Sequence, residues 1–191
     1  VSLDEMELVR LMDRTDLKFI LPLNMLDRVI SELQKDYRIF TLGDKKIFSY
    51  RTRYFDTPEL GMYFDHHNGK LNRFKIRHRE YIESQTSFLE IKFKSNTGRV
   101  IKQRIKHCNT DQNGFSGFVT RHTPYNPAWL HCAVTSQFNR FTLVDKQLRE
   151  RVTTDFNLSF SHNNRSISLK DLVVIELKQE QSDRSSFIYQ I

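Results

Sequence analysis

Apolar and charged residues alternate along three neighbouring stretches of the chain, near residues 72–82, 87–95 and 99–107. On a β-strand, successive side chains point to opposite faces. Each stretch therefore predicts a strand with one apolar face and one charged face. The charged faces carry mainly basic residues: Arg73, Lys75, Arg77 and Arg79, then Glu90, Lys92 and Lys94, and then Lys102, Arg104 and Lys106.

Further strands are predicted before and after this region. Alternating or continuous apolar runs bounded by turn residues indicate them. They lie at residues 14–21, 46–55, 138–145, 151–160 and 172–179. With the three central strands, they predict a predominantly antiparallel sheet.

Helices are predicted where apolar residues recur at helical spacing, at residues 3–12 and 24–35. Residues 58–66 favour a helical turn. Asn126 as N-cap and Pro127 after it predict a helix to residue 136, on which Trp129 would pack in the core. We expect a loop or short helix over residues 108–125 and the opening of another helix over residues 185–191.

The size and charge of the chain narrow its class. It has 191 residues, with 30 Lys or Arg, 23 Asp or Glu and a net charge of +7. This length predicts a single domain over residues 1–191 with a real core. The positive charge favours anionic partners such as phosphates, nucleic acid or acidic lipids. Basic residues concentrated on successive strands favour a chain of phosphates.

A sheet with one strongly cationic face needs a way to avoid burying like charges. Facing rows of cations repel one another, and a buried charge without a partner is costly. A wide, water-filled barrel avoids this cost, because water, acidic residues and bound anions can offset the charge. We therefore predict an α+β fold, in which an antiparallel β-barrel with a polar, basic lumen carries flanking helices.

Cysteine use and hydropathy favour a cytoplasmic location. Cys108 and Cys132 form no metal or redox motif, and we expect both to be reduced thiols. No uninterrupted apolar run approaches the length that spans a membrane. We therefore expect no transmembrane segment in this chain. The oligomeric state is left open.

Several stretches together resemble a known family. They are RTDLKF at 14–19, YRTRYFDTPELGMYFDHHNGKLNRFKIRHREY at 50–81, FLEIKFKSNTGRVIKQRI at 88–105, FNRF at 138–141, RVTTDFNL at 151–158 and VVIELK at 173–178. In order and spacing they resemble the polyphosphate polymerase (vacuolar transporter chaperone, VTC) domain of the triphosphate tunnel metalloenzyme (CYTH-like) superfamily. The resemblance covers nearly the whole chain.

This resemblance implies a tunnel barrel that binds a triphosphate or longer polyphosphate. In polymerase members, the terminal phosphoryl group of ATP passes to a growing polyphosphate chain with Mn²⁺ or Mg²⁺. The matching positions imply that the phosphate-binding or catalytic residues are Lys18, Arg77, Arg79, Lys92, Lys102 and Arg140. Secondary phosphate contacts are expected from Arg51, Arg53, Lys75, Lys94, Arg104, Arg151 and Lys178.

Two acidic residues are candidate metal ligands. The resemblance places Glu176 at the family's metal-binding glutamate, and hard divalent cations prefer oxygen. Glu176 could equally be a structural counter-ion to a basic side chain. Glu90 presents the same alternatives, and its basic neighbours Lys92 and Lys94 favour the counter-ion. We leave His66 and His67 unassigned, because adjacent histidines on a turn lack a defined third ligand.

One departure from the family concerns the end of the chain. The family follows its last strand with a helix and a short Ser-Lys-Tyr segment, whose lysine also contacts phosphate. Here the sequence ends at Ile191 without that lysine. We expect either a truncated chain or an incomplete phosphate site.

Alternative functions remain open at this stage. The same lumen suits triphosphate hydrolysis or nucleotide cyclisation, and a non-catalytic polyanion-binding module is a further alternative. An ordinary solvated strand face is the simplest alternative for the basic residues. Nucleic acid is not expected as a partner. RNA binders stack bases on exposed aromatic rings, whereas the aromatic residues here mostly alternate to the face opposite the basic ones.

Overall fold

The computed structural model describes residues 15–107, 111–179 and 186–189. The chain divides into two compact units. Unit 1 comprises Val1–Ser49, Phe138–Ser159 and Ser168–Ile191, and unit 2 comprises Tyr50–Gln137 and Phe160–Ile167.

Strands dominate both units. In chain order the described elements are β1 (Thr15–Pro22), α1 (Leu26–Leu33), β2 (Tyr37–Ile39), β3 (Phe48–Asp56), α2 (Gly61–His67), β4 (Arg73–Tyr81), β5 (Thr86–Lys94), β6 (Val100–Lys106), α3 (Gln112–His122), β7 (His131–Asp145), β8 (Glu150–His162), β9 (Arg165–Leu169) and β10 (Leu172–Gln179). Short 3₁₀ turns lie at Leu23–Met25, Pro127–Trp129 and Phe187–Tyr189.

In unit 1, β1 pairs with β10 and β10 pairs with β8, both antiparallel. β7 follows β8 in the sheet order, and β2 pairs antiparallel with β7. One face of these strands is apolar and packs against α1. Its core contains Val29, Leu33, Val152, Val173, Ile175 and Leu177, with Leu17 and Phe19 packed against it. Because side chains alternate, the polar residues of β1, β8 and β10 lie on the other face.

In unit 2, β3, β4, β5 and β6 form an antiparallel meander. Its apolar face carries Ile76, Leu89 and Ile91, all almost fully buried. These three pack in one cluster with Met62 of α2 and with Phe118 and Val119 of α3. The two helices therefore cover this face, and the basic residues between the apolar ones lie on the opposite face.

The predicted α+β class with a mainly antiparallel sheet is confirmed. The three central strands and β10 lie where alternation predicted them. β2 and β9 were not predicted, because their three and five residues are too short for a periodic pattern. The predicted helix at residues 3–12 lies outside the described residues, as does Cys108. Cys132 is a free, exposed thiol.

The predicted helix over residues 126–136 is wrong. Asn126 does act as a cap, accepting a hydrogen bond from the Ala128 backbone, but it begins a single 3₁₀ turn. The residues from His131 onward form the long strand β7 (His131–Asp145). Trp129 is therefore 69% exposed, and its predicted place in the core is wrong as well. A loop or short helix was expected over residues 108–125, and the described part of this range contains the helix α3 (Gln112–His122), whose N-cap Asp111 accepts a hydrogen bond from the Gly114 backbone.

None of the helices in the described parts of the chain is long and apolar enough to cross a membrane.

Candidate functional site

Basic side chains of β4, β5 and β6 lie on the face of the unit 2 meander opposite its core. We call six of them the basic face: Lys75, Arg77, Arg79, Lys92, Lys102 and Arg104. The strand register brings them together, since Arg77 lies opposite Glu90 and Glu90 lies opposite Arg104. In the next register position of this face, Lys92 lies between Lys75 and Lys102. Lys94 lies at the end of β5, two residues beyond Lys92, and opposite Arg73.

Glu90 lies in the middle of the basic face, and its side chain is only 1% exposed. Arg77 Nη2 and Nε both lie 2.6 Å from Glu90 Oε2, and Lys102 Nζ contacts Glu90 Oε1. Burial alone would raise the pKa of Glu90, but Arg77 and Lys102 together lower it to about 2. Glu90 is therefore a charged counter-ion with both of its oxygens in contact with cations.

The partners of Glu90 differ in how easily they keep their charge. Burial would lower the pKa of Arg77, but Glu90 and then Tyr54 raise it above its ordinary value. Burial lowers the pKa of Lys102, and repulsion from Arg77 and Arg104 lowers it further. The contact with Glu90 raises it, but by less than these effects lower it. Arg77 is thus a permanent cation with a fixed orientation, whereas Lys102 stays 40% exposed to solvent.

Neighbouring side chains also orient the other arginines of this face. Arg79 Nε donates to Thr52 Oγ1 at 3.0 Å, and its guanidinium lies 5.7 Å from the Tyr50 ring centroid. The Arg104 guanidinium lies 3.8 Å from the Phe88 ring centroid. A guanidinium held over an aromatic ring keeps its N–H donors directed outward. The basic face is therefore suited to bind a row of phosphate oxygens.

Arg51 and Arg53 do not belong to this face. In the β3–β4 register they lie opposite Glu80 and His78, whereas Thr52 lies opposite Arg79. Both arginines contact the Glu80 carboxylate, each at 3.3 Å. The alternation in YRTRY thus places Thr52 and its neighbouring tyrosines on the basic face and the two arginines behind it.

Unit 1 has a separate polar face, built on β1, β8 and β10. Lys18 lies opposite Glu176, with Lys18 Nζ 3.8 Å from Glu176 Oε1. Lys178 Nζ lies 2.6 Å from Glu176 Oε2 and 3.3 Å from Asp16 Oδ2. Burial would raise the pKa of Glu176, but Lys178, Lys18 and Arg140 lower it below its ordinary value. Glu176 is therefore charged, and its side chain is 17% exposed.

Arg140 of β7 is fixed by a carboxylate on β8. Its Nε and Nη2 donate to the two oxygens of Asp155 at 2.5 and 2.7 Å, a two-pronged contact. The guanidinium also lies 5.2 Å from the Phe138 ring centroid. Arg151 lies opposite Lys178 in the β8–β10 register, so it shares the polar face of unit 1. Asp16 lies two residues from Lys18, and Asp155 lies four residues from Arg151 on the same face of β8. Neither was predicted as a site residue.

Carboxylate and histidine side chains are the candidate ligands for a divalent metal. Within residues 15–107, 111–179 and 186–189, no group of three His, Cys, Asp or Glu side chains is arranged to hold a metal ion. Both oxygens of Glu90 contact basic side chains, which favours the predicted counter-ion role. Magnesium in phosphate sites is often bound by one or two carboxylates together with substrate phosphates. Glu176, partly exposed, fits such a single-carboxylate role.

His66 contributes a contact that the sequence did not predict. Its Nε2 lies 3.1 Å from Lys75 Nζ. Its position on the last turn of α2, followed by the Asn68-Gly69 turn into β4, brings it beside the start of that strand. No signal in the sequence connected this histidine to Lys75.

Solved structures with a similar fold are distant in sequence. A candidate adenylyl cyclase from Hippeastrum, for which a dominant triphosphatase activity is described, is similar with a TM-score of 0.59 and 12% identity, over 94% of this chain and 85% of that one. A candidate adenylate cyclase from Vibrio parahaemolyticus gives 0.52 and 9%, over 94% and 83%. A protein from Pyrococcus horikoshii gives 0.50 and 8%, over 92% and 83%.

No curated protein matches the sequence. The VTC domain family matches it over residues 13–191, which include the basic face, Lys18, Arg140 and Glu176. The predicted resemblance is thereby confirmed, and the chain belongs to the VTC domain family.

Proposed function

We propose that the chain is a polyphosphate polymerase-like phosphotransferase, which binds a chain of phosphates on its basic face. The observation that carries this proposal is the row of basic side chains ordered around one buried carboxylate, Glu90. The six cations of this set outnumber the buried Glu90 and leave a strong positive excess on this face. Such an excess attracts polyanions, and fixed guanidinium groups favour phosphate oxygens.

Charge and position are the main requirements of the proposed reaction. Phosphoryl transfer depends on aligned phosphates and on neutralising the charge that spreads over the transferred group. Arg77 and Arg79, two residues apart on β4, would each bind phosphate oxygens. Lys92 and Lys102 would add compact charges beside them, and Lys75, Lys94 and Arg104 would bind the chain on either side. We also propose phosphate contacts for Lys18 and Arg140, because the resemblance to the family implies them.

The proposed donor is ATP or another nucleoside triphosphate, and the acceptor is polyphosphate. Mn²⁺ or Mg²⁺ is the proposed cofactor, with Glu176 as the carboxylate that would hold it. A bound metal would neutralise charge on the phosphates in the transition state. Lys178 and Lys18, which contact Glu176, would keep this carboxylate ionised and oriented.

A single incubation tests this proposal. The protein is mixed with ATP and Mn²⁺, and the products are separated as polyphosphate, orthophosphate and cyclic nucleotide. Growth of polyphosphate with release of ADP is expected. Orthophosphate alone would indicate a triphosphatase, and cyclic nucleotide would indicate a cyclase. Double substitution of Lys92 and Lys102 by Gln should abolish the product in each case.

The second candidate is a non-catalytic polyphosphate-binding module. The observation that favours it is the pairing of both candidate metal carboxylates with basic side chains: Glu90 contacts Arg77 and Lys102, and Glu176 contacts Lys178. In this case tripolyphosphate would bind without metal, and ATP would remain unchanged after prolonged incubation. Measuring binding and turnover on the same preparation separates the two candidates.

A further inference from the structure

An open cavity of about 560 Å³ lies within unit 2, next to one end of the basic face. Its walls come from β3, α2, β4, β7 and the end of β8. Ligand pockets in proteins commonly have volumes of ~300–1,000 Å³ and mainly apolar walls with a few polar groups. This cavity has the size of a small-molecule site.

The walls combine aromatic and aliphatic side chains with a few polar ones. Tyr54, Tyr63 and Phe160 supply rings, and Met62 and Val134 supply aliphatic surface. Tyr63 is 53% exposed, which leaves its ring accessible from solvent. Flat aromatic surfaces of this kind bind other planar rings by stacking, and the binding tolerates differences in the bound ring.

Two residues that line the cavity lie on the side of the sheet that carries the basic face. Lys75 lines the cavity and lies on the same strand face as Arg77, two residues away, which is ~7 Å along a strand. Tyr54 also lines the cavity and lies directly opposite Arg77 on β3. A phosphate chain bound at Arg77 and Lys75 would therefore end at the cavity mouth.

We propose that this cavity binds the nucleobase of the nucleoside triphosphate whose phosphates lie on the basic face. The inference rests on the proposed phosphate-binding function and adds where the rest of the donor is bound. Lys75, beside His66, would contact the phosphate nearest the nucleoside. The base would lie against Tyr63, Tyr54 and Phe160, in the apolar part of the cavity.

The test compares ATP with tripolyphosphate, which has the phosphates and lacks the nucleoside. Ala133, half-buried on β7, lines the cavity, and Ala133→Trp would fill part of it. Ala128 is exposed and does not line the cavity, so Ala128→Trp is the matched control. Affinities for both ligands are measured by titration calorimetry on wild type and both variants.

With the base in the cavity, Ala133→Trp should weaken ATP binding at least tenfold and change tripolyphosphate binding less than twofold. Ala128→Trp should change neither affinity. Tyr63→Ala, a truncation at an exposed position, removes one stacking surface and should weaken ATP binding by roughly tenfold. It also supplies the test if Ala133→Trp fails to fold.

The results separate this inference from the proposed function. If wild type binds tripolyphosphate and no cavity variant changes the ATP affinity relative to the tripolyphosphate affinity, the nucleobase site is overturned and the phosphate-binding proposal stands. If wild type binds neither ligand, both are overturned. A selective loss of ATP binding in Ala133→Trp or Tyr63→Ala supports the site.

Discussion

Arg77 on β4 and Glu90 on β5 lie directly opposite each other, and two nitrogens of the Arg77 guanidinium lie 2.6 Å from the same carboxylate oxygen. Lys102 contacts the other oxygen from β6. One buried carboxylate thus connects three neighbouring strands of the basic face. It fixes the direction of the arginine that would bind phosphate, and it cancels part of the charge that attracts the phosphate.

This dual role predicts opposite effects on stability and binding. Glu90→Gln removes a negative charge from the basic face, so tripolyphosphate should bind more tightly, by roughly threefold to tenfold at low salt. The same change leaves Arg77 without its ionic partner, so the melting temperature should fall. Titration calorimetry and thermal unfolding on one preparation measure both effects. Glu59→Gln, at an exposed position of unit 2, is the control and should change neither. Weaker binding by Glu90→Gln would show that Glu90 contributes to the phosphate site chiefly by orienting Arg77.

The lowered pKa of Glu90 predicts how stability depends on pH. Its folded-state pKa is about 2, against an ordinary value of 4.5. The ionised carboxylate therefore stabilises the folded state fully above pH 4.5, by about 3 kcal/mol. This contribution is lost as the pH falls from 4.5 towards 2, because the unfolded state binds the proton first. Urea unfolding of wild type and Glu90→Gln at several pH values should show a stability difference that shrinks over this interval. A difference that stays constant down to pH 2 would contradict the ion-pair assignment.

The two faces of β3 and β4 provide a matched pair of arginine substitutions. Arg79 lies on the basic face, and Arg51 lies on the opposite face beside Glu80. Arg79→Gln should weaken tripolyphosphate binding by roughly tenfold, since a charged hydrogen bond contributes ~1.5–3 kcal/mol. Arg51→Gln removes the same charge from unit 2 and should change the affinity less than twofold. Equal losses in both variants, measured at 0.15 M salt, would mean that total charge rather than the ordered face determines binding.

Much of the basic face was predictable because alternation on a strand fixes which residues share a face. Arg77, Arg79, Lys92, Lys102 and Arg104 were placed together for this reason. The same rule places Arg51 and Arg53 on one face of β3 and Thr52 on the other. Only the register with β4 shows that the face with Arg51 and Arg53 is the one opposite Arg77 and Arg79. Register between strands depends on contacts distant in sequence, so a local pattern does not give it.

The error at residues 126–136 has a different cause. The Asn-Pro cap is a genuine helix-start signal, and Asn126 does cap the Ala128 backbone. A cap stabilises only the first turn, and the following residues form a strand instead of continuing the turn. Tertiary pairing outweighed the local signal. The contact between His66 and Lys75 was not predictable from the sequence either, because it depends on how α2 packs beside β4.

Asp56 is predicted to be a structural residue of unit 2. Its side chain is buried and accepts hydrogen bonds from the backbone N–H groups of Thr57, Met62 and Tyr63, which fixes the start of α2. Asp56→Ala would leave these donors without a partner and should lower the free energy of unfolding by about 2 kcal/mol. Chemical denaturation measures this loss. Tripolyphosphate affinity, measured well below the melting temperature, should stay within twofold of wild type, since Asp56 is not on the basic face. A tenfold loss of affinity in a folded variant would assign Asp56 to the binding site.

The role of Glu176 can be decided by measuring metal affinity and stability on one variant. If Glu176 holds Mn²⁺, Glu176→Gln should weaken Mn²⁺ binding in the presence of tripolyphosphate at least tenfold and abolish metal-dependent turnover. Metal-free tripolyphosphate binding should be retained, since the change removes a negative charge. Glu32→Gln, on α1 where the side chain is 43% exposed, is the control for charge. If Glu176 is instead a counter-ion to Lys178 and Lys18, the variant should melt at a lower temperature while Mn²⁺ affinity is unchanged. That second outcome would defeat the ligand assignment and favour the non-catalytic binding module, because Glu90 already has both oxygens in contact with Arg77 and Lys102.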